Sequence, residues 1–116
     1  MAEAVLKITE NKNGSVMVLE LAGEIDAHTA PILKESAEKK ISEGNVKLVF
    51  NFANCTYISS AGIGVLNAIL NSVKAKGGII AVSEANKTIT DTFKVMYFTK
   101  KVQLYIETAA AVKDLQ

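Results

Sequence analysis

The sequence is poor in residues that several classes of protein require. Its 116 residues include one cysteine, one histidine, one proline and no tryptophan. One cysteine cannot form an internal disulfide, and one cysteine with one histidine cannot supply the usual zinc ligands. Thirteen basic and twelve acidic residues leave a net charge of +1, so no charge excess draws the chain to nucleic acid or to an anionic membrane. We therefore expect no metal, no cofactor and no direct nucleic-acid partner.

Long apolar segments are also missing. The N-terminal residues Met1 to Ala4 show no basic stretch and no apolar run, which argues against a signal peptide. No segment approaches the length of a membrane span. Cys55 follows a predicted strand, where a small buried thiol is the usual outcome. These features predict a cytoplasmic protein without membrane insertion. Hydrophobic residues make up 49% of the chain, enough for one core, so we predict a single domain over residues 1–116.

Strand and helix patterns alternate along the chain and predict an α/β fold. Strands are predicted over residues 5–10, 15–22, 46–52, 79–82 and 102–106, and a turn cluster at 11–14 joins the first two as a hairpin. Helices are predicted from Thr29 to Gly44, from Ser59 or Ser60 to Gly77, over 83–95 and from Thr108 to Leu115. Thr29 and Thr108 are predicted to be the N-caps of the first and last helices. This order predicts a mixed, mostly parallel sheet of about five strands with about four helices.

Two loops are predicted at the carboxyl ends of the strands, where parallel α/β sheets hold their functional sites. They are Glu24 to Thr29 and Asn54 to Gly64. In the second loop, small residues at a helix start precede an apolar stripe. Gly62 and Gly64 each cost about 1 kcal/mol relative to alanine in a helix. Their presence indicates either the close approach of a partner or backbone, or a helix packed tightly on the sheet.

Three side chains in these segments allow more than one interpretation. Ser60 either caps the second helix or accepts a phosphate, which adds about −1.5 to −2 charge that a helix N-terminus tolerates. Asp26 either contacts a partner or stabilises the start of the first helix. At the end of the third helix, Phe93 and Met96 are expected in the core. Tyr97 and Phe98 either extend a partner surface or pack on the last strand.

These segments resemble STAS domains, and more closely the bacterial anti-sigma factor antagonists. The resemblance rests on Leu21-Ala22-Gly23-Glu24-Ile25-Asp26, on the segment Ile58 to Leu66, and on the order of strands and helices. It implies that the unphosphorylated protein binds an anti-sigma factor with serine kinase activity. That kinase would phosphorylate a loop serine, and a phosphatase would reverse the reaction. The resemblance places the acceptor at Ser60 and implies partner contacts by Asp26, Ser59, Ala61, Gly62, Ile63 and Gly64.

The sequence departs from the family pattern on both sides of Ser60. The preceding position is often acidic and here is Ser59, which makes Ser59 a secondary candidate for phosphorylation. The following position is often serine or threonine and here is Ala61. An alternative function with the same fold is an accessory subunit of a lipid-transport ATPase, or a scaffold of a signalling assembly.

An enzyme is a further hypothesis, because Asp26, His28 and Ser60 have the composition of a hydrolase triad. The nucleophile-elbow pattern needs glycine two residues before the serine, and Ile58 stands there. We therefore expect a protein without enzymatic activity.

Overall fold

Within residues 5–116, five strands form one sheet whose spatial order follows the chain. The computed structural model describes residues 5–116; the N-terminal residues that argue against a signal peptide lie outside that range. The strands are β1 (Leu6–Asn13), β2 (Val16–Ile25), β3 (Lys47–Ile58), β4 (Ile79–Ser83) and β5 (Gln103–Tyr105). β1 and β2 form an antiparallel hairpin, and the remaining neighbours are parallel. The carboxyl ends of β2 to β5 therefore share one edge of the sheet.

The described part of the chain contains four helices, which cover the two faces of this sheet unequally. They are α1 (Ala30–Ser42), α2 (Ser60–Lys74), α3 (Lys87–Val95) and α4 (Thr108–Leu115), with a short 3-10 turn at Phe98–Lys100. The first three helices pack on one face and enclose the larger core. Ala111 and Leu115 of α4 pack on the other face, against valines of β2 and β3. The predicted mixed, mostly parallel α/β sheet with four helices is confirmed.

The strands that lead to the functional edge are longer than the sequence patterns predict. β2 continues to Ile25 and β3 continues to Ile58, although residues 23–25 and 53–58 were expected in loops. These extensions pair with each other, and the pairing shifts register after Glu20 and again after Gly23. Such irregularities interrupt the alternation of inward and outward side chains by which a strand is recognised. The predicted loop boundaries at Glu24 and Asn54 are therefore wrong.

The third helix and its end also differ from the prediction. α3 begins at Lys87, because Ser83 belongs to β4 and the side chain of Asn86 accepts the N–H of Ile89 at 2.8 Å as the N-cap. Phe93 is in the core as expected, but Met96 is 42% exposed and Phe98 is fully buried. The expectation of a core position for Met96 is wrong.

The start of α4 is fixed by a residue from another strand end. Thr108 was predicted as the N-cap, but it is the first helical residue. Its backbone N–H donates to the carboxylate of Glu84 at 3.1 Å, and its hydroxyl shares a hydrogen bond with Ser83 at 2.7 Å. The cap prediction for Thr108 is therefore wrong, because Glu84 supplies the acceptor from outside the helix.

Candidate functional site

The ends of β2 and β3 bring the two predicted functional segments together. Ile25 and Ile58 are paired residues of the parallel ladder. The backbone N–H of Ser59 donates to the carbonyl oxygen of Ile25 at 2.8 Å. Asp26 and Ser60 thus follow directly after two hydrogen-bonded strand ends. The structure places the acidic residue and the serine pair at the same edge of the sheet, as the sequence predicted.

The start of α2 distinguishes the two neighbouring serines. Ser59 has the extended backbone of an N-cap, and its Oγ accepts the N–H of Gly62 at 3.4 Å. The N–H of Ile63 donates to the carbonyl oxygen of Ser59 at 3.1 Å, which closes the first helical turn. Ser60 is therefore the first helical residue and its side chain is exposed. The interpretation of Ser60 as the helix cap is wrong, because Ser59 performs that task.

Gly62 is buried where α2 meets the two strand ends. A Cβ atom on Gly62 would lie 2.6 Å from Cγ2 of Ile25 and 2.7 Å from Cγ1 of Ile58. Real side-chain contacts are not that short, so glycine is needed for this approach of helix and sheet. Tight packing of the helix on the sheet was one of the two explanations that the sequence offered for this glycine; the sequence did not identify Ile25 and Ile58 as the contacts.

Exposure separates the residues expected to contact a partner. Gly62 and Ile63 are buried, with Ile63 only 1% exposed, so direct partner contact by these two residues does not fit this structure. Ala61 and Gly64 are exposed, and no atom lies within 4 Å of a Cβ atom placed on Gly64. We define the Ser60 surface by Asp26, Ser59, Ser60, Ala61 and Gly64, which lie at least partly at the protein surface.

Asp26 organises the loop between β2 and α1. Its Oδ1 accepts the backbone N–H groups of His28 at 2.9 Å and Thr29 at 3.0 Å. The hydroxyl of buried Thr29 donates to the carbonyl oxygen of Glu24 at 2.7 Å, and no side-chain cap bond from Thr29 reaches α1. Thr29 is the N-cap residue of α1 as predicted, but its hydroxyl does not cap the helix, because it bonds within the loop that Asp26 closes. These hydrogen bonds, the one from the Thr29 N–H foremost, hold the pKa of the Asp26 carboxyl below its ordinary value of 3.8.

The remaining candidate groups have structural partners. The hydrolase hypothesis needs a carboxylate bonded to an imidazole ring, but Asp26 bonds the backbone N–H of His28. Cys55 is buried and its Sγ lies 3.4 Å from the carbonyl oxygen of Tyr57. Burial raises the pKa of the Cys55 thiol, which keeps it protonated and unreactive at neutral pH.

A cavity of about 410 Å³ opens at the ends of β4 and β5, at a different part of the same edge. It is lined by Val82, Glu84, Ala85, Thr90, Leu104, Tyr105 and Ile106. Its one charged residue, Glu84, is already bonded to the N–H and the hydroxyl of Thr108. Over residues 5–116, no helix combines the length and the apolar character that crossing a membrane requires.

Comparison with known proteins assigns this architecture to a family. The family model for the STAS domain matches residues 7–113. The chain belongs to the STAS domain family. One curated relative of this STAS domain is the anti-sigma F factor antagonist of Paenibacillus polymyxa. It is 23% identical over 112 residues, which is 96% of each protein.

Solved structures show the same fold. The crystal structure of an anti-sigma factor antagonist from Mycobacterium paratuberculosis matches with a TM-score of 0.89 and 21% identity, covering 98% of this STAS domain and 97% of that chain. The Bacillus cell fate determinant SpoIIAA in its phosphorylated form matches with a TM-score of 0.73 and 16% identity, covering 97% and 100% of the two chains. The resemblance recognised in the sequence is confirmed at the level of family and fold.

Proposed function

We propose that this STAS domain is an anti-sigma factor antagonist whose binding is switched off by phosphorylation of Ser60. Its partner is an anti-sigma factor with serine kinase activity, and a phosphatase restores binding. The observation that carries the proposal is the position of Ser60, an exposed hydroxyl at the first residue of a 15-residue helix, next to the strand end that holds Asp26. The protein acts by binding and catalyses no reaction itself.

The helix terminus makes a phosphate on Ser60 compatible with the fold. The first N–H groups of a helix have no partner within the helix. Here the N–H of Gly62 donates to Oγ of Ser59, and the regular helical bonds begin where the N–H of Ile63 donates to the carbonyl oxygen of Ser59. The N–H groups of Ser60 and Ala61 are left to face an added anion. The positive end of the helix dipole favours negative charge at this position. Phosphorylation should therefore leave the domain folded.

The same phosphate would prevent a close protein contact. Ala61 and Gly64 have almost no side chain, so a partner can approach the backbone of α2 closely. Glu24, which is exposed, and Asp26 already make the strand end acidic. A phosphate would add bulk and about −1.5 to −2 charge at pH 7 to that acidic surface. A partner group that is attracted to Asp26 in the unphosphorylated form would then have to accommodate a second, larger anion.

The relatives support this assignment. The Paenibacillus polymyxa protein is an anti-sigma F factor antagonist, and the match covers 96% of each protein. The structure of SpoIIAA in a phosphorylated form shows that this fold can carry a phosphate. The assignment to Ser60 within this chain rests on its exposure and on its place at the start of α2.

Phosphorylation with the purified anti-sigma factor kinase from the same genome tests the assignment. Wild type, Ser60→Ala and Ser59→Ala are incubated with the kinase and ATP, and the modified residue is located by mass spectrometry. We expect phosphate on Ser60, no phosphate in Ser60→Ala, and unchanged modification in Ser59→Ala. Phosphate incorporation into Ser60→Ala at the wild-type rate would show that the acceptor is another residue, Ser59 being the first to inspect.

Binding measurements then test the switch. Ser60→Asp should weaken binding to the kinase by about tenfold or more, because a charge is placed in a desolvated contact. Asn71→Asp is the matched control, since it makes the same change in charge at an exposed position near the other end of α2. Equal affinities of the two variants would contradict the proposal. Recovery of a membrane permease complex in place of a kinase would favour the accessory-subunit function.

A further inference from the structure

Three neighbouring apolar side chains are exposed at the end of α3. Val95, Met96 and Tyr97 are 74%, 42% and 66% exposed, although Phe93 and Phe98 on either side are fully buried. Single exposed apolar residues are ordinary, but a contiguous group of them marks an interaction surface. Tyr97 also has a φ angle of 59°, a left-handed backbone that is unfavourable for a bulky residue. The chain thus holds these side chains outward at a conformational cost.

Lysine residues surround this apolar group. We call residues 94–101 the α3 hook; it contains Lys94, Lys100 and Lys101 and no acidic residue. Nζ of Lys100 lies 5.7 Å from the centre of the Tyr97 ring, a cation–π distance. The three lysines are exposed. The hook therefore presents an apolar centre with a basic border.

A strip of α2 connects the hook to the Ser60 surface. Nζ of Lys101 donates to Oδ1 of Asn67 at 3.4 Å. Residues at spacings of four and seven lie on one face of a helix, so Ser60, Gly64 and Asn67 share a face. At a rise of 1.5 Å per residue, Ser60 and Asn67 are about 10 Å apart along the axis. Gly64, between them, has no side chain to separate the two areas.

We propose that the α3 hook is a second docking area for the same partner that binds the Ser60 surface, and that it contacts a partner surface with apolar and acidic side chains. This inference rests on the proposed function. The continuous surface that runs from the end of β2 over this strip to the hook is acidic at one end, with Glu24 and Asp26, and basic at the other, with the lysines of the hook. A partner with the complementary order, basic opposite Asp26 and acidic opposite the lysines, can dock in only one orientation.

The charge order favours a protein over an anionic membrane as the occupant. A membrane surface would attract the lysines of the hook but would repel Glu24 and Asp26 at the other end of the strip. A protein can match both ends. The separation of the hook from Ser60 has a second consequence. The hook contacts α2 at Asn67, which is about 10 Å from Ser60 along the helix axis. Substitutions at such a separation without shared contacts are additive, so the hook should contribute the same factor to affinity whether position 60 is neutral or charged.

A charge-reversal experiment tests this inference with the anti-sigma factor kinase used above. The hook variant combines Lys100→Glu with Lys101→Glu, and the matched control combines Lys74→Glu with Lys76→Glu at the exposed end of α2. A separate variant, Tyr97→Asn, removes the ring while keeping a residue that tolerates the left-handed backbone. Thermal unfolding of every variant verifies that the fold is retained before affinities are compared.

We expect the hook variant and Tyr97→Asn each to weaken binding to the kinase about tenfold, and the control to bind within about twofold of wild type. The two lysine substitutions of the hook variant should reduce affinity by the same factor in the Ser60→Asp background as in the wild-type background. Wild-type affinity in the hook variant, while Ser60→Asp still weakens binding, would overturn the inference and leave the proposed function intact. Binding to phosphatidylserine vesicles that is lost in the hook variant, with kinase affinity unchanged, would also overturn it and assign the hook to a membrane. Failure of wild type to bind the kinase would overturn the proposed function as well.

Discussion

The two glycines at the start of α2 should respond in opposite ways to the same added methyl group. In Gly62→Ala the new Cβ would lie 2.6 Å from Cγ2 of Ile25 and 2.7 Å from Cγ1 of Ile58. Ile25 and Ile58 are 0% and 2% exposed, and both contacting atoms are close to the backbone, so neither isoleucine can easily turn away. In Gly64→Ala the methyl group meets no atom within 4 Å.

The magnitudes follow from two opposing terms. Replacing glycine by alanine in a helix gains up to about 1 kcal/mol. Inserting a methyl group into a filled core costs about 1–3 kcal/mol. For Gly62→Ala we therefore expect a net loss of roughly 1 kcal/mol in the free energy of unfolding, which corresponds to a melting temperature lower by ~4 °C for a domain of this size. Gly64→Ala has only the favourable term and should gain about 0.5–1 kcal/mol.

Urea and thermal unfolding of the two variants and wild type, followed by far-ultraviolet circular dichroism, measure these changes directly. The two substitutions are chemically identical and lie two residues apart, so they control for each other. A Gly62→Ala variant as stable as Gly64→Ala would refute the argument, because it would show that α2 does not approach Ile25 and Ile58 as closely as described. Partner affinity is expected to fall in Gly64→Ala, although its stability rises, since that methyl group projects into the strip.

Three other predictions follow from the contacts at and below the site. Ser59→Ala removes the N-cap of α2 and should lower the free energy of unfolding by about 1 kcal/mol, measured by urea unfolding, while phosphorylation of Ser60 continues; no loss of stability would contradict the cap assignment. Asp26→Asn keeps an oxygen acceptor for the N–H groups of His28 and Thr29, so the fold should persist while partner affinity falls. The pKa of the Asp26 carboxyl is lowered in the folded protein. Its ionised form therefore stabilises the fold at pH values above the ordinary pKa of the group, and this contribution is lost as pH falls through the pKa of the folded state. The stability advantage of wild type over Asp26→Asn should therefore shrink in urea titrations below pH 4, and a constant difference would show that the charge is not involved. Phe93→Ala removes a ring packed 5.6 Å from Phe52 and 5.1 Å from Phe98 and should cost about 3–5 kcal/mol; a smaller loss in calorimetry would mean that this part of the core collapses around the gap.

The helices were predictable because each of them buries one regular stripe. Leu33, Ala37 and Ile41 recur every four residues in α1, and all three are buried. The apolar stripe of α2 is buried in the same way, from Ile63 to Val73. A stripe with helical spacing depends on the local sequence alone. The mixed, mostly parallel sheet followed from the alternation of these helices with apolar strands and from the resemblance to the STAS family.

Features that depend on a single backbone angle were not predictable. Ser59 and Ser60 are chemically identical, and only the extended backbone of Ser59 makes it the cap. Met96 was expected in the core and is exposed, whereas Phe98, for which two environments were open, is buried; Tyr97 stands between them in a left-handed conformation. The ends of β2 and β3 were missed because register shifts break the alternation. In each case the deciding contact comes from another part of the chain, which a local pattern does not contain.

Helical periodicity divides the first turn of α2 between two tasks. Ser59 and Gly62 face the strand ends and determine how the helix is attached, through the cap bond and the contact with Ile25 and Ile58. Ser60 and Gly64 point away from the sheet and have no part in that attachment. A phosphate on Ser60 would therefore meet the solvent and the helix dipole without disturbing a buried contact. This arrangement favours a switch that acts by charge and bulk at the surface, with stability and binding under the control of alternate residues in one short segment.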